Sequence, residues 1–148
     1  AIASVDADGT ILKVSRFNQA DTEGRIALII GDHLAELGDD IHAATIERVG
    51  AMPKQGLSST FTFGRVYGEA WAGLILSKAR VSSVTPGTWQ ADMKLPKKVE
   101  YASHKRAIKQ AAESRWGRTF TLDQVDAIWI AEWARLKGPW SRGSTDGG

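Results

Sequence analysis

Cysteine is absent from this sequence, which removes disulfides, thiolate metal sites and cysteine nucleophiles from consideration. A reducing, cytoplasmic setting is compatible with that absence. Long apolar runs are missing too. Ala70 to Leu76 and Ile26 to Ile30 are the longest, far short of the roughly 20 residues that cross a bilayer. No basic-then-apolar segment opens the chain, so neither a signal segment nor a membrane partner is expected. Phosphate-cradling glycine loops, a dinucleotide fingerprint and a Ser/His/Asp arrangement are all lacking, and no nucleotide cofactor is expected. The three histidines, His33, His42 and His104, show no metal-ligand spacing. His33 reads as a surface or boundary residue.

What remains suits one globular domain: 148 residues, 43% hydrophobic and 24% charged. The net charge is only +2, but the cations are uneven. Lys94, Lys97, Lys98, Lys105, Arg106 and Lys109 face Glu100 alone across one segment. Such a segment suits a polyanion, or it is simply a solvated helix face.

Taken in order, Ala1 to Val5 and Thr10 to Phe17 read as strands joined at Asp8-Gly9, a hairpin turn signal. Turn chemistry accounts for Asp6 and Asp8. Asp21 or Thr22 is placed to cap a helix carrying Ile26, Ile29, Ile30, Leu34 and Leu37, stopped by Gly38. Asp39-Asp40 reads as loop. The run Ala43 to Val49 is a buried strand by composition, and a loop from Met52 to Leu57 follows it. A helix over about Ser59 to Ala79, capped by Ser58 or Ser59, buries Phe63, Tyr67, Ala70, Trp71 and Leu74. Gly64 and Gly68, one turn apart, predict a close approach of that helix to a neighbour. A strand over Val81 to Val84, a turn of helix near Trp89, a helix from about Val99 to Trp116 stopped by Gly117, and a last helix opened by the capping box Thr121-Leu122-Asp123-Gln124 complete the body. Residues 137–148 read as a disordered tail. The order of elements predicts an α/β fold with a mixed sheet.

Three acids stand out. Glu47 sits near the end of the buried strand and needs a counter-charge there. Asp126 falls on the apolar stripe of the last helix, where an unpaired carboxylate is costly. Asp123, one turn earlier, is either a first-turn residue favoured by the helix dipole or a partner of Asp126 for one cation. A structural ion pair is the plain alternative for Glu47. Together Glu47, Asp123 and Asp126 form an all-carboxylate set that selects hard cations, Mg²⁺ or Mn²⁺. Two such ions can drive phosphodiester hydrolysis.

The run Ala44-Thr-Ile-Glu-Arg-Val-Gly-Ala-Met-Pro, with Val84-Thr-Pro-Gly-Thr-Trp89 and Asp123-Gln-Val-Asp-Ala-Ile128, resembles the RuvC-type Holliday-junction resolvases, especially their phage-like branch. The likeness spans Ala1 to about Leu136. It implies a ribonuclease H-like mixed sheet flanked by helices, a homodimer and divalent-metal cutting of four-way DNA junctions. On the same terms Glu47, Asp123 and Asp126 are implied catalytic metal ligands, and Arg48, Lys54, Arg65, Lys97, Lys98, Lys105 and Arg106 are implied DNA contacts. Met52 or Phe61 would wedge between bases at the branch, with a core position as the equal alternative for Phe61. The family opens with a strand ending in Asp-Pro-Gly, whereas this sequence opens at what corresponds to the second strand. The resemblance therefore implies a missing N-terminal strand and a missing aspartate, which a partner chain or segment would have to supply. Without them the chain reads alternatively as a catalytically inactive branched-DNA binding module.

Overall fold

Asp6 makes the first turn: its Oδ1 accepts from the backbone N–H groups of Asp8 and Thr10, each at 2.9 Å. Gly9 follows at φ 84°, where a side chain would be strained and would meet Glu132 and Arg135 at 3.0 Å. This turn joins β1 (Ile2–Val5) to β2 (Ile11–Ser15) as an antiparallel pair. The computed structural model describes residues 1–18, 20–38, 41, 43–50, 53–97 and 100–141. Asp39, Asp40, His42, Met52 and Lys98 lie outside them.

The remaining elements are α1 (Arg25–Glu36), β3 (Ala43–Glu47), α2 (Leu57–Leu76), β4 (Arg80–Val84), α3 (Pro86–Asp92), α4 (Tyr101–Trp116) and α5 (Leu122–Lys137). β3 and β4 pair in parallel, with Glu47 opposite Val84. The α/β class holds and both strand senses occur, but among the described residues the strands form two separate pairs, β1–β2 and β3–β4. Helices cover both faces. Ile26, Ile30, Leu34, Ala70 and Leu74 of α1 and α2 form one apolar cluster, against which Ile2, Ala44, Ile46 and Val81 pack. Trp89, Ile108, Ala112, Val125, Ile128, Trp129 and Trp133 of α3, α4 and α5 form the other, with Ala3 and Val14. Ile2 and Ala3 thus point to opposite clusters, as successive strand residues must.

Several long-range contacts depart from the local signals. Neither Asp21 nor Thr22 caps α1. Its cap is Gly24, and the carboxylate of Glu69 on α2 accepts from the Gly24 and Ile26 N–H groups at 3.0 and 3.3 Å. An acid at a helix N-terminus satisfies orphan donors and the dipole together. α2 starts at Leu57 with Gly56 as its cap, so Ser58 and Ser59 lie inside the first turn. The close approach on α2 occurs at Gly73. A Cβ there would stand 3.1 Å from Ile30 Cγ2 and 3.3 Å from the Ala27 carbonyl oxygen, while at Gly64 and Gly68 it would meet nothing within 4 Å. Gly73→Val should therefore cost about 1–3 kcal/mol by overpacking. Gly68→Ala should gain up to about 1 kcal/mol from helix propensity. Urea unfolding of both variants checks the pair.

His33 is buried (1% exposed), correcting the surface reading. Its Nε2 and Nδ1 lie 2.7 and 2.8 Å from the hydroxyls of Ser4 and Ser15, pinning α1 to both strands of the hairpin. Burial drives its pKa down from 6.5 to about 4, with Lys13 adding to the effect and Glu36 opposing it. The unfolded chain takes up this proton first as pH falls, so stability drops through the window from 6.5 to 4. The expected loss between pH 7 and pH 5 is about 2 kcal/mol. Thermal melts should show it, and His33→Leu should remove most of that slope.

The capping box appears as expected, with the Thr121 backbone N–H donating to the Gln124 side chain at 3.0 Å. Gly117 ends α4 in the left-handed conformation. On α5, however, the buried face runs through Val125, Ile128, Trp129, Glu132 and Trp133, while Leu122 and Leu136 are exposed. Glu132 is fully buried and takes ion pairs from Arg115 and from Arg135, the latter at 2.6 Å. Arg135 also donates to the Ala7 carbonyl at 3.0 Å, tying α5 to the hairpin turn. Past Lys137, Trp140 lies against the Arg80 guanidinium at 5.3 Å. Residues 142–148 of the predicted tail fall outside the described residues.

Candidate functional site

β3 delivers Glu47 at its last position, and the first turns of α5 deliver Asp123 and Asp126. All three line one cavity between the two strand pairs. Burial raises the Glu47 carboxyl above its usual range. The Trp89 hydrogen bond opposes that rise, the Asp126 charge adds to it and Lys105 opposes it. Glu47 and Asp126 are therefore near enough to repel, though 79 positions separate 47 from 126 in the sequence. No direct ion pair supplies the counter-charge expected for Glu47 among the described residues. Instead the indole N–H of Trp89 donates to Oε2 at 2.7 Å.

The two aspartates are each held by a cation. Lys105 Nζ donates to Asp126 Oδ2 at 2.5 Å. Arg16 Nε donates to Asp123 Oδ2 at 2.7 Å, and the Thr121 hydroxyl donates to Oδ1 at 2.6 Å. Burial pushes the Asp123 carboxyl upward, but these two donors outweigh it and its pKa is lowered. Asp126 Oδ1 is buried with no hydrogen-bond partner among the described residues. That oxygen is open to a further ligand.

For a hard cation the donors fit in kind: all are carboxylate oxygens, and one is unused. In number they fall short. Among the described residues no three acids or histidines stand close enough to share one ion.

The predicted DNA contacts scatter. Arg48 is exposed just past β3, its backbone N–H donating to Val84 O at 2.7 Å. Lys54 is exposed at φ 67° in the following loop. Lys97 and Arg106 are exposed, and Lys98 lies outside the described residues. Arg65 is drawn inward, donating to Glu69 at 2.7 Å and to the Asp21 carbonyl at 3.1 Å. Phe61 is 75% exposed, and Met52 lies outside the described residues. Trp89, Lys105 and Arg16 are the carboxylate partners that no local pattern revealed. Trp89 follows a Thr85-capped turn, which marks a helix start and nothing more.

No family model and no curated protein matches the chain. Solved structures do. RuvC of Thermus thermophilus in complex with a Holliday junction substrate aligns at a TM-score of 0.64 and 14% identity, over 92% of this chain and 87% of that one. A second T. thermophilus RuvC structure aligns at 0.62 and 14%, over 90% and 86%. The fold is RuvC-like. The ribonuclease H-like class expected from the sequence is thereby borne out, with helices on both faces of the strands. At such low identity the likeness speaks for the RuvC-like scaffold and leaves its chemistry to the residues.

Proposed function

We propose that this chain acts on branched DNA as a metal-dependent endonuclease of four-way junctions, with Glu47, Asp123 and Asp126 as the carboxylates that a bound ion would have to draw together. One observation carries the reading: Glu47, Asp123 and Asp126 line one cavity on a RuvC-like scaffold, where the Asp126 charge adds to the upward push on the Glu47 carboxyl. Bringing like charges together in a partly buried site costs stability, and groups perturbed in this way cluster at functional sites. A bound Mg²⁺ or Mn²⁺ ion would supply water activation and charge stabilisation at the scissile phosphate. The chain's own part is positional. Trp89 fixes the Glu47 carboxylate, and Lys105 and Arg16 balance the aspartates and stand ready for phosphate oxygens. Arg48, Lys54, Lys97 and Arg106 would track the DNA backbone further out. A homodimer would present two such sites, one for each strand to be cut.

A second reading, a binding module without catalysis, draws support from the two cation-held aspartates and from the absence of a three-acid group among the described residues. Incubation of the chain with an end-labelled synthetic four-way junction separates the two. Nicking that needs Mg²⁺ or Mn²⁺ and stops with chelator supports the enzyme. Salt-sensitive junction binding indifferent to chelator, without nicks, supports the module. Equal affinity for junction and linear duplex at low salt overturns both.

A further inference from the structure

We propose that the cavity between the hairpin turn and the end of α4 binds a phosphate monoester, with Arg115 and Arg118 as its anion donors. The inference stands apart from the nuclease reading. The cavity measures about 570 Å³, within the usual span of small-molecule sites. Gly9 and Thr10 of the turn and Ile11 of β2 line it from one side, Arg115, Trp116 and Arg118 from the other. Glu132 of α5 lines it as well. The three acids of the nuclease reading lie away from it. Lys105 meets Asp126 in the first turns of α4, and Arg115 stands ten positions further on, about 15 Å along a helix.

Charge and geometry select the ligand. Glu132 carries one negative charge, and the Arg135 fork alone meets both of its oxygens, Nε to Oε2 at 2.8 Å and Nη2 to Oε1 at 2.6 Å. Arg115 adds a second guanidinium to a carboxylate already served, using one of its five N–H donors. Its side chain remains 42% exposed. Arg118 is exposed and makes no ion pair among the described residues. Rings back both guanidiniums: Trp116 at 5.4 Å and Trp129 at 5.9 Å for Arg115, Phe120 at 5.2 Å for Arg118. Stacking fixes the plane of each fork and leaves N–H edges to meet an oxyanion. Trp116 is fixed in turn, its indole N–H donating to the Gly9 carbonyl at 2.9 Å. Around the cavity three guanidiniums thus face two carboxylates, Glu132 and Asp8. Asp8 opposes an anion, but it is exposed and its charge is screened by salt. The carbonyl end of α4 opposes one too, and Arg115 in the last turn offsets that dipole. A phosphate monoester, with a charge of about −1.5 to −2 and three terminal oxygens, engages two forks at once, whereas a carboxylate fills one. Trp116 and Ile11 give its organic part an apolar wall.

The test titrates phenyl phosphate, benzoate and phenol separately into the full chain, with the arginine Nε–H and tryptophan indole resonances followed by NMR. Binding predicts saturable shifts at Arg115, Arg118 and Trp116 with phenyl phosphate, weaker ones with benzoate and none with phenol. Arg118→Gln should lower the affinity for phenyl phosphate about tenfold or more, as expected for losing a charge-assisted hydrogen bond. Because Arg118 is exposed, that variant should melt at the parent temperature. A DNA duplex ending in a 5′-phosphate, run beside the same duplex ending in a 5′-hydroxyl, identifies the source of the ester. Stronger shifts at these three residues with the phosphorylated end assign the site to DNA ends, and equal shifts assign it to free esters. No saturable shift up to about 10 mM phenyl phosphate, an equal response to benzoate or phenol, or an Arg118→Gln variant that binds as tightly as the parent would each overturn the proposal.

Discussion

Glu47→Gln should abolish metal-dependent junction cutting while raising the melting temperature of the protein. Losing one ligand of a catalytic ion forfeits several kcal/mol of transition-state stabilisation, a rate loss of about 10² or more. The stability gain follows from the titration. Burial holds the Glu47 pKa above its unfolded value, so the folded state favours the protonated carboxyl. The cost of ionising it grows as pH climbs past the usual carboxylate range. Glutamine keeps an oxygen for the Trp89 N–H and carries no charge for Asp126 to repel. Junction binding should change by less than about twofold, since one central carboxylate adds little to phosphate contacts. Nicking rate, melting temperature at pH 7 and junction affinity, read on one preparation, decide the matter. A structural acid would show the reverse: unchanged cutting and a lower melting temperature.

Trp89→Ala should cost about 3–5 kcal/mol, the range for emptying a buried aromatic site. The ring is fully buried in the cluster formed with α4 and α5. Against a typical total of about 5–15 kcal/mol, that loss leaves the fold marginal. Trp89→Phe separates packing from hydrogen bonding. It retains most of the apolar volume and removes only the donor to Glu47, so about 1–2 kcal/mol should be lost. Urea unfolding measures both. With the donor gone, the Glu47 pKa should rise further, because the indole N–H was favouring the ionised form.

What could be read from the sequence was local. The hairpin turn at Asp6–Gly9, the Thr121–Gln124 capping box and the Gly117 stop are each complete within a few residues, and each appears where its chemistry requires. The inward placement of Asp126 was legible because helical periodicity fixes direction without knowledge of the neighbour. Its partner was not: Lys105 lies 21 positions upstream, where it reads simply as one of several cations. The same holds for Glu69 capping α1 from 45 positions away, and for His33 held between two serines. Glu132 was missed for a related reason. With Arg135 one turn on, it reads as a solvated i,i+3 pair until Arg115 arrives from α4. Of the three glycines inside α2, spacing singles out Gly64 and Gly68 while the contact falls on Gly73, because which side of a helix meets another is a property of the pair.

α5 packs on β1 and on β3 as well as carrying two of the three acids. One rigid rod thus sets both the gap between the half-sheets and the spacing of the carboxylates. A tilt of that rod cannot change one without the other. Whatever props the halves apart at the proper width also tunes how strongly Asp126 and Glu47 sense each other. In this molecule, then, the width of the gap and the charge of the carboxylates beside it are a single mechanical variable.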